Sequence, residues 1–245
     1  DTGGLGGTVT VRNDSGAIVL HNLSSAGGAA GGGTAGAKGT LQLKSVGGTI
    51  TQTGGTTLAG DSLKVVSDSD VTLNNANALS TIAASITGAG KFFKYTDTDG
   101  VTVGTVAAVG GGGGALQNLA AVTGIGTLGG ASGVVNVTAG GLLTIDQAIS
   151  TTPTALNTVG GAITLTSSGA ITTSATGTLT STGSASTVGG TDTAGAGGEI
   201  LIHSTGAGDI TLGAAVTANG GASVEAADTG GLGGTVTVRN DSGAI

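Results

Sequence analysis

The stretch DTGGLGGTVTVRNDSGAI occupies residues 1–18, and the same eighteen residues occupy positions 228–245 without a substitution. An identity of this length does not arise from biased composition. We therefore interpret residues 1–227 as one full tandem repeat and residues 228–245 as the start of the next identical repeat. The chain begins with neither a methionine nor a signal peptide, so we expect its targeting signal elsewhere in a longer precursor.

Within each copy of this stretch, Gly7 or Gly234 is followed by TVTV, in which Thr and Val alternate. A period of two predicts a short β-strand with Val on one face and Thr on the other. A glycine or aspartate followed by similar alternation recurs along the chain, which places predicted strand starts at residues 8, 40, 49, 62, 71, 101, 134, 162, 170, 178, 199, 209 and 235. Almost no stretch has helical periodicity, and Val, Ile and Thr suit strands, so we predict an all-β fold.

The spacing of these strands predicts the architecture. Eight turns of 32, 22, 22, 17, 33, 28, 37 and 36 residues fill the 227-residue repeat when they start at Gly7, Gly39, Asp61, Ala83, Gly100, Gly133, Gly161 and Gly198, with the next repeat starting at Gly234. The short turns suffice for strands and brief corners. The longer ones contain Gly-rich stretches, which we interpret as corner loops. We therefore predict a parallel β-helix, or β-solenoid, with about eight coils and a length of roughly 40 Å per repeat.

Composition and charge exclude several classes of protein. The 245 residues include 53 glycines and one proline, and only 9% are charged, against roughly 25% in an ordinary globular domain. Without Gly-X-Y triplets the chain is not collagen, and its organised aliphatic content is not that of a disordered chain. The net charge is −7, and no Lys or Arg lies between Lys94 and Arg239. We expect no nucleic-acid partner and, without an apolar run of about 18 residues, no membrane insertion.

Four longer stretches resemble filamentous-haemagglutinin-like exported proteins of Gram-negative bacteria. They are TIAASITGAGKFFKYTDTDGVTVGTV at residues 81–106, GLLTIDQAIS at 141–150, GGAITLTSSGAITTSATGTL at 160–179 and GDITLGAAVTANGG at 208–221. This resemblance implies a right-handed parallel β-helix within a very large protein that is secreted or attached to the cell surface. Members of that family act as adhesins, in biofilm cohesion, or as stalks for a distal effector.

No catalytic motif is present in the sequence. The two histidines, His21 and His203, each follow an aliphatic strand, which is typical of a corner or surface position. HExxH, GxSxG, Walker and paired-carboxylate motifs are absent. We therefore predict no enzymatic activity, no catalytic residue, no cofactor-binding residue and no cofactor.

Two acidic pairs leave calcium binding open, because alternating aspartates can place oxygen atoms on one face. These pairs are Asp68 with Asp70 and Asp97 with Asp99. The remaining positions of an EF-hand loop and the nonapeptide of calcium-binding β-rolls are missing. We therefore predict no metal site.

These observations predict a structural repeat unit of a giant extracellular surface protein that forms a fibre, stalk or sheath. Its partners would be copies of itself, joined end to end or as covalent tandem repeats. The alternative is an adhesin segment that attaches cells to one another or to surfaces, with glycans or cell surfaces as partners. Sugar sites commonly use aromatic platforms, and the only aromatic residues are Phe92, Phe93 and Tyr95, which favours the structural role. Silk-like or amyloid-like stacking would give the same strand pattern without a 227-residue axial period.

Overall fold

The computed structural model describes residues 2–109, 119–131 and 133–245, which form β-strands and no helix. The first nine strands are β1 (Val9–Asn13), β2 (Ile18–Leu20), β3 (Leu23–Ser24), β4 (Thr40–Ser45), β5 (Ile50–Gln52), β6 (Leu58–Ala59), β7 (Ser62–Ser67), β8 (Val71–Asn77) and β9 (Thr81–Ile86). The next six are β10 (Phe93–Asp97), β11 (Val101–Val103), β12 (Thr105–Val106), β13 (Val122–Thr123), β14 (Ile125–Thr127) and β15 (Val135–Ala139). The last nine are β16 (Leu143–Ile145), β17 (Ile149–Ser150), β18 (Ile163–Ser167), β19 (Ile171–Thr173), β20 (Leu179–Thr180), β21 (Ile200–Ser204), β22 (Ile210–Leu212), β23 (Val216–Thr217) and β24 (Val236–Asn240).

The predicted all-β fold is confirmed, and each predicted strand start lies within one residue of an observed strand. Period-two alternation has the expected effect on burial. In β18, for example, Ile163 and Leu165 are fully buried whereas Thr164 is partly exposed. The described ranges contain no helix long and apolar enough to cross a membrane.

Most strands belong to two parallel sheets. The smaller sheet has eight strands in the order β2-β5-β8-β10-β15-β18-β21-β24. The larger sheet has twelve strands: β1, β4, β7 and β9 pair in that order, and β9 then pairs with both β11 and β14. From β11 the ladder continues through β16, β19 and β22, and from β14 through β17, β20 and β23. The chain therefore visits the two sheets in alternation.

In the smaller sheet, β15, β18, β21 and β24 pair first residue to first residue, which stacks like side chains. Val137 pairs with Leu165, and Leu165 pairs with Ile202. All three side chains are fully buried between the sheets. Each buried aliphatic side chain contributes about 1.5–3 kcal/mol, so the continuous apolar interior depends on many strands keeping the same register.

The long strands change sheets part-way along the chain. Before residue 71 the strands of five or six residues, β1, β4 and β7, lie in the larger sheet. After residue 104 the five-residue strands β15, β18, β21 and β24 lie in the smaller sheet. The exchange takes place in residues 71–103, which we call the transition region.

In the larger sheet, the transition converts one straight strand into two short ones. Residues Thr81–Ile82 of β9 pair with β11, and Ala84–Ile86 of the same strand pair with β14. Between β11 and β14 the chain leaves the sheet, and its two legs pair as the antiparallel strands β12 and β13. We call the described residues of these two legs, 105–109 and 119–123, the arm. Its return at Gly124 requires glycine, because φ is +68° and a Cβ atom would lie 2.1 Å from the Ala148 carbonyl oxygen.

The exchange places the two copies of the repeated strand in different sheets. In the first copy Val9–Asn13 pairs with β4 in the larger sheet. In the second copy Val236–Asn240 pairs with β21 in the smaller sheet. This corrects the predicted division into turns, in which Gly7 and Gly234 held equivalent places.

Candidate functional site

The two histidines occupy separate surface positions. His21 is exposed at the end of β2. His203 lies in β21, with its Nε2 atom 3.1 Å from a carboxylate oxygen of Asp241. Hydrogen bonds from His203 and then Arg239 lower the pKa of Asp241. The described residues contain no group of three or more His, Cys, Asp or Glu side chains placed to hold a metal ion.

The carboxylates of Asp68, Asp70 and Asp97 accept hydrogen bonds from backbone N–H groups of the protein. Asp68 accepts the Gly47 N–H at 2.8 and 2.9 Å. Asp70 accepts the Phe92 N–H at 3.2 Å. Asp97 is buried and accepts the N–H groups of Leu79 and Asp99. These contacts fasten one strand to the next.

The aromatic residues do not form an exposed platform. Phe93 and Tyr95 are fully buried, with parallel rings whose centroids are 6.4 Å apart. Phe92 lies outside the core, with the Lys94 ammonium 4.5 Å from its ring centroid. Two of the three aromatic side chains are therefore buried and cannot stack on a sugar at the surface.

The most distinctive surfaces of the molecule are its two ends. Among the described residues, β1, β2 and β3 at the first end each pair with strands on one side, β4, β5 and β6. At the second end β22, β23 and β24 likewise pair within the described ranges with strands on one side, β19, β20 and β21. An unpaired strand edge presents a row of N–H and C=O groups that can accept another strand.

The repeated strand displays its two opposite edges at these two ends. Val9 pairs with Leu41, which starts the register between β1 and β4. The identical Val236 pairs with Ile200, which starts the register between β24 and β21. The first copy therefore pairs through one edge of the strand and the second copy through the opposite edge. Superposing the two copies gives a strand paired on both sides, with all five residues in register.

The corner after the repeated strand has the same local structure in both copies. The Asn13 Nδ2 atom donates to the Ala17 carbonyl at 3.1 Å, and Asn240 Nδ2 donates to the Ala244 carbonyl at 2.8 Å. The Arg–Asp pair at this corner also forms in both copies. Local sequence thus fixes the strand and its corner, whereas the sheet that receives them is fixed by the residues between.

A polar cluster holds the smaller sheet at the transition region. The buried Asn77 side chain donates to the carbonyls of Leu73 and Thr96 at 3.0 Å each. Its Oδ1 atom accepts the Leu58 N–H at 2.9 Å and the Gln52 side-chain amide at 2.8 Å. Asn77 therefore satisfies backbone groups at the register shift between β8 and β10.

Asp97 extends this polar cluster to β10, the strand that pairs with β8 in the smaller sheet. It is 2% exposed and accepts the Tyr95 hydroxyl, the Leu79 N–H at 3.1 Å and the Asp99 N–H at 3.2 Å. Burial raises the pKa of Asp97 to about 6. Burial, followed by the nearby Asp97 charge, raises the pKa of Tyr95. Asp97 lies in a run of alternating Thr and Asp, so no feature of the sequence indicates that it faces inward.

Lys64 fastens the arm to the larger sheet. Its side chain is fully buried, and its ammonium donates to the carbonyls of Ala107 and Leu119 at 2.9 Å each. These carbonyls lie on the two legs of the arm. Burial lowers the pKa of Lys64. The neighbouring Gln42 accepts the Leu119 N–H at 3.2 Å, which adds a second polar contact.

An apolar contact and two clefts complete the base of the arm. Val106 and Val122 pack on Ala83, whose side chain projects from the outer face of β9. The cleft on one side has a volume of about 480 Å³ and includes Lys44 and Ser85 in its lining. The cleft on the other side has a volume of about 490 Å³, and its lining includes Thr8, Thr40, Asp61, Ser62 and Thr105.

No family model, curated protein or solved structure matches this chain.

Proposed function

We propose that this chain is a structural repeat unit of a giant extracellular surface protein, in which a continuous parallel β-solenoid forms a fibre, stalk or sheath. The observation that carries the proposal is the pair of complementary edges on Val9–Asn13 and Val236–Asn240. The strand pairs with the turn that follows it in the first copy and with the turn that precedes it in the second copy. Stacked repeats would therefore pair both of its edges, which leaves no unpaired edge at the junction. The partner of each end is another copy of the same repeat.

The pairing scheme gives the size of one repeat in this solenoid. Eight strands form the smaller sheet, so β2 and β24 are seven pairing steps apart. β1 precedes β2 by half a turn, which makes seven and a half turns between the identical strands. At about 4.8 Å per turn this is roughly 36 Å. The arm lies in the half turn between Gly100 and Gly133 and lengthens it to the size of a full turn, so the spacing of strands in the sequence predicts about eight turns.

The proposed role is mechanical and involves no catalysis. Parallel ladders run the length of the described chain, and the aliphatic side chains between them form one core. Each ladder transmits load through backbone hydrogen bonds to the turns above and below. The low charge and the resemblance to filamentous-haemagglutinin-like proteins support placement outside the cell, secreted or attached to its surface.

An adhesin segment is the second candidate, and the arm with its two clefts favours it. The cleft that includes Thr8, Thr40 and Asp61 presents hydroxyl and carboxylate groups suited to hydrogen bonding with a polar ligand such as a glycan. The burial of Phe93 and Tyr95 removes two of the three aromatic side chains that could stack on a sugar. The structural role therefore stands first.

The length of chains with different numbers of repeats tests the structural role. Chains of one, two and four copies of residues 1–227, each followed by residues 228–245, would be imaged by electron microscopy. Stacking predicts a straight rod that lengthens by roughly 36 Å per added copy. Separate particles joined by flexible links would contradict the proposal. Amyloid-like stacking would give fibrils whose length is unrelated to the number of copies.

A further inference from the structure

We propose that successive repeats are related by a half turn about the long axis, so that the arm projects from opposite sides of the rod in successive repeats. This inference rests on the proposed stacking of repeats. It goes beyond that proposal by specifying which strand of one repeat receives which strand of the next. The observation behind it is that β1 and β24 have one sequence but lie in different sheets.

The long strands show the exchange directly. In the first copy, β4 lies on Val9–Asn13 through the pairing of Val9 with Leu41. The same pairing applied to the second copy puts Thr40–Ser45 of the next repeat on β24. That strand belongs to the smaller sheet. The long strands of the next repeat therefore extend the smaller sheet, whereas the long strands at the start of this repeat lie in the larger sheet.

The short strands agree with this placement. The Ile210 N–H donates to the Ala244 carbonyl at 2.9 Å, just as the Ile171 N–H donates to the Asp209 carbonyl one turn earlier. Ile245, the copy of Ile18, therefore starts the next strand over β22. In the first copy Ile18 starts β2 in the smaller sheet, whereas β22 lies in the larger sheet.

Burial supports the same register. Leu212, the last residue of β22, is 37% exposed at the free edge. The residue two positions after Ile18 is Leu20, which is 4% exposed. With Ile18 of the next repeat over Ile210, Leu20 of that repeat would cover Leu212. An exposed leucine at the end of the ladder thus receives an apolar partner of matching size.

The third ladder also continues with apolar residues. It contains Ile125, Ile149, Leu179 and Val216 in successive turns. In the half-turn arrangement the next member is Leu23 of the following repeat, from β3. Leu23 and Val216 are each partly buried against the core in this structure. All three ladders therefore close with chemically like partners under a single rotation.

The side of the rod from which the arm projects depends on the sheet that contacts its base. Lys64 and Ala83, which hold the arm, lie on strands β7 and β9 above β4. In the next repeat these strands stack on β24, on the opposite side of the rod. At about 4.8 Å per turn, arms would then recur roughly every 36 Å along the axis. Because successive arms lie on opposite sides, arms on one side would be roughly 72 Å apart. Lateral partners would meet the rod on two faces.

Cysteine cross-linking in a two-copy chain, residues 1–227 followed by residues 1–245, tests the half turn. The chain has no native cysteine, so only introduced pairs can react. The first pair is Thr211→Cys in the first copy with Val19→Cys in the second. The half turn makes these residues direct neighbours about 4.8 Å apart, within the range for a disulfide. The second pair is Leu201→Cys in the first copy with Val19→Cys in the second, which become neighbours only without the half turn.

A positive control uses Thr172→Cys with Thr211→Cys, which pair directly between β19 and β22. Cross-linking of the first pair at the control's yield, with none of the second, is the expected result. Cross-linking of the second pair alone would overturn the half turn while leaving the stacking intact. Failure of both pairs, with the control still reacting, would overturn the proposed stacking and with it this inference.

Discussion

The two copies of VTVRN, at Val9–Asn13 and Val236–Asn240, have identical sequences and corner hydrogen bonds but different surroundings. The first copy lies in the larger sheet and the second in the smaller sheet. The two copies therefore distinguish what local sequence determines from what the intervening chain determines. Local sequence determines that a strand forms and how it turns at its end. The number of half turns in the intervening chain determines which sheet it joins.

The transition region accounts for the difference between the copies. On the smaller sheet, Asn77 and Asp97 satisfy backbone groups where β8 and β10 shift register. On the larger sheet, Lys64 fixes the arm that separates β11 from β14.

Replacing Asn77 is expected to have the largest effect. Asn77→Ala leaves the Leu58 N–H and the Leu73 and Thr96 carbonyls buried without their partner. Each orphaned group costs about 1–3 kcal/mol, so the free energy of unfolding should fall by about 3–5 kcal/mol. Urea unfolding followed by circular dichroism measures this loss.

Asn136→Ala is the matched control for Asn77, because Asn136 lies in the same sheet but is partly exposed. It should change the free energy of unfolding by less than about 0.5 kcal/mol. Equal losses in the two variants would show that the Asn77 cluster does not hold the transition region.

Asp97 should make stability depend on pH. Its folded pKa of about 6 lies above the unfolded value of about 3.9. The folded chain therefore holds the proton more tightly, and stability should fall by about 2 kcal/mol as the pH rises through this window. Unfolding of the wild type and Asp97→Asn at pH 4.5 and pH 7.5 isolates this contribution. The variant should gain on the wild type as pH rises, and a parallel change in both would contradict the assignment.

Removing the Lys64 ammonium should loosen the arm. Lys64→Met keeps an apolar stem but loses both hydrogen bonds to the legs of the arm. Amide hydrogen exchange at β12 and β13 should speed up about tenfold, which corresponds to about 1.4 kcal/mol.

Lys94→Met, beside Phe92 on the other sheet, is the control for Lys64 and should leave exchange in the arm unchanged. An arm that exchanges at the wild-type rate in Lys64→Met would mean that the apolar contacts with Ala83 suffice to hold it.

The smallest expected effect is a difference between single and tandem chains. Val11 and Val238 are the same residue of the repeat, and each is partly buried against the core at an end strand. In a two-copy chain, a strand of the second copy would cover Val238 on the side that has no strand in the 245-residue chain. Val238→Ala should therefore cost about 1 kcal/mol more in the two-copy chain than in the 245-residue chain.

Thr237→Ala, on the outward face of the same strand, should show no such difference. If Val238→Ala costs the same in both chains, the edge of β24 receives no partner from the next copy.

The sequence was sufficient to predict many of the strands but not their distribution between sheets. A glycine or aspartate followed by alternating residues located thirteen of the 24 strands in the described residues to within one residue. The two-residue strands β12 and β13 were not located, because they are too short to show a period. The exchange of sheets was not predictable because VTVRN is identical on both sides of it. The 33-residue interval from Gly100 to Gly133 also resembled a full turn, although it contains the arm.

The polar residues of the transition region were equally hard to identify. Asn77 follows other asparagines at positions 74 and 75, and Asp97 alternates with threonine, so neither stands out from surface residues. Lys64 occupies an outward position in SLKVVS and becomes buried only because the arm, distant in sequence, covers it. Such contacts depend on long-range topology, which local patterns do not encode.

An atomic structure of the two-copy chain by electron cryo-microscopy would show how Val236–Asn240 pairs at the junction between copies. We expect this strand to lie in the smaller sheet between Ile200–Ser204 and Thr40–Ser45 of the second copy. A second copy that begins a separate sheet and leaves the free edge of Val236–Asn240 unpaired would contradict this expectation.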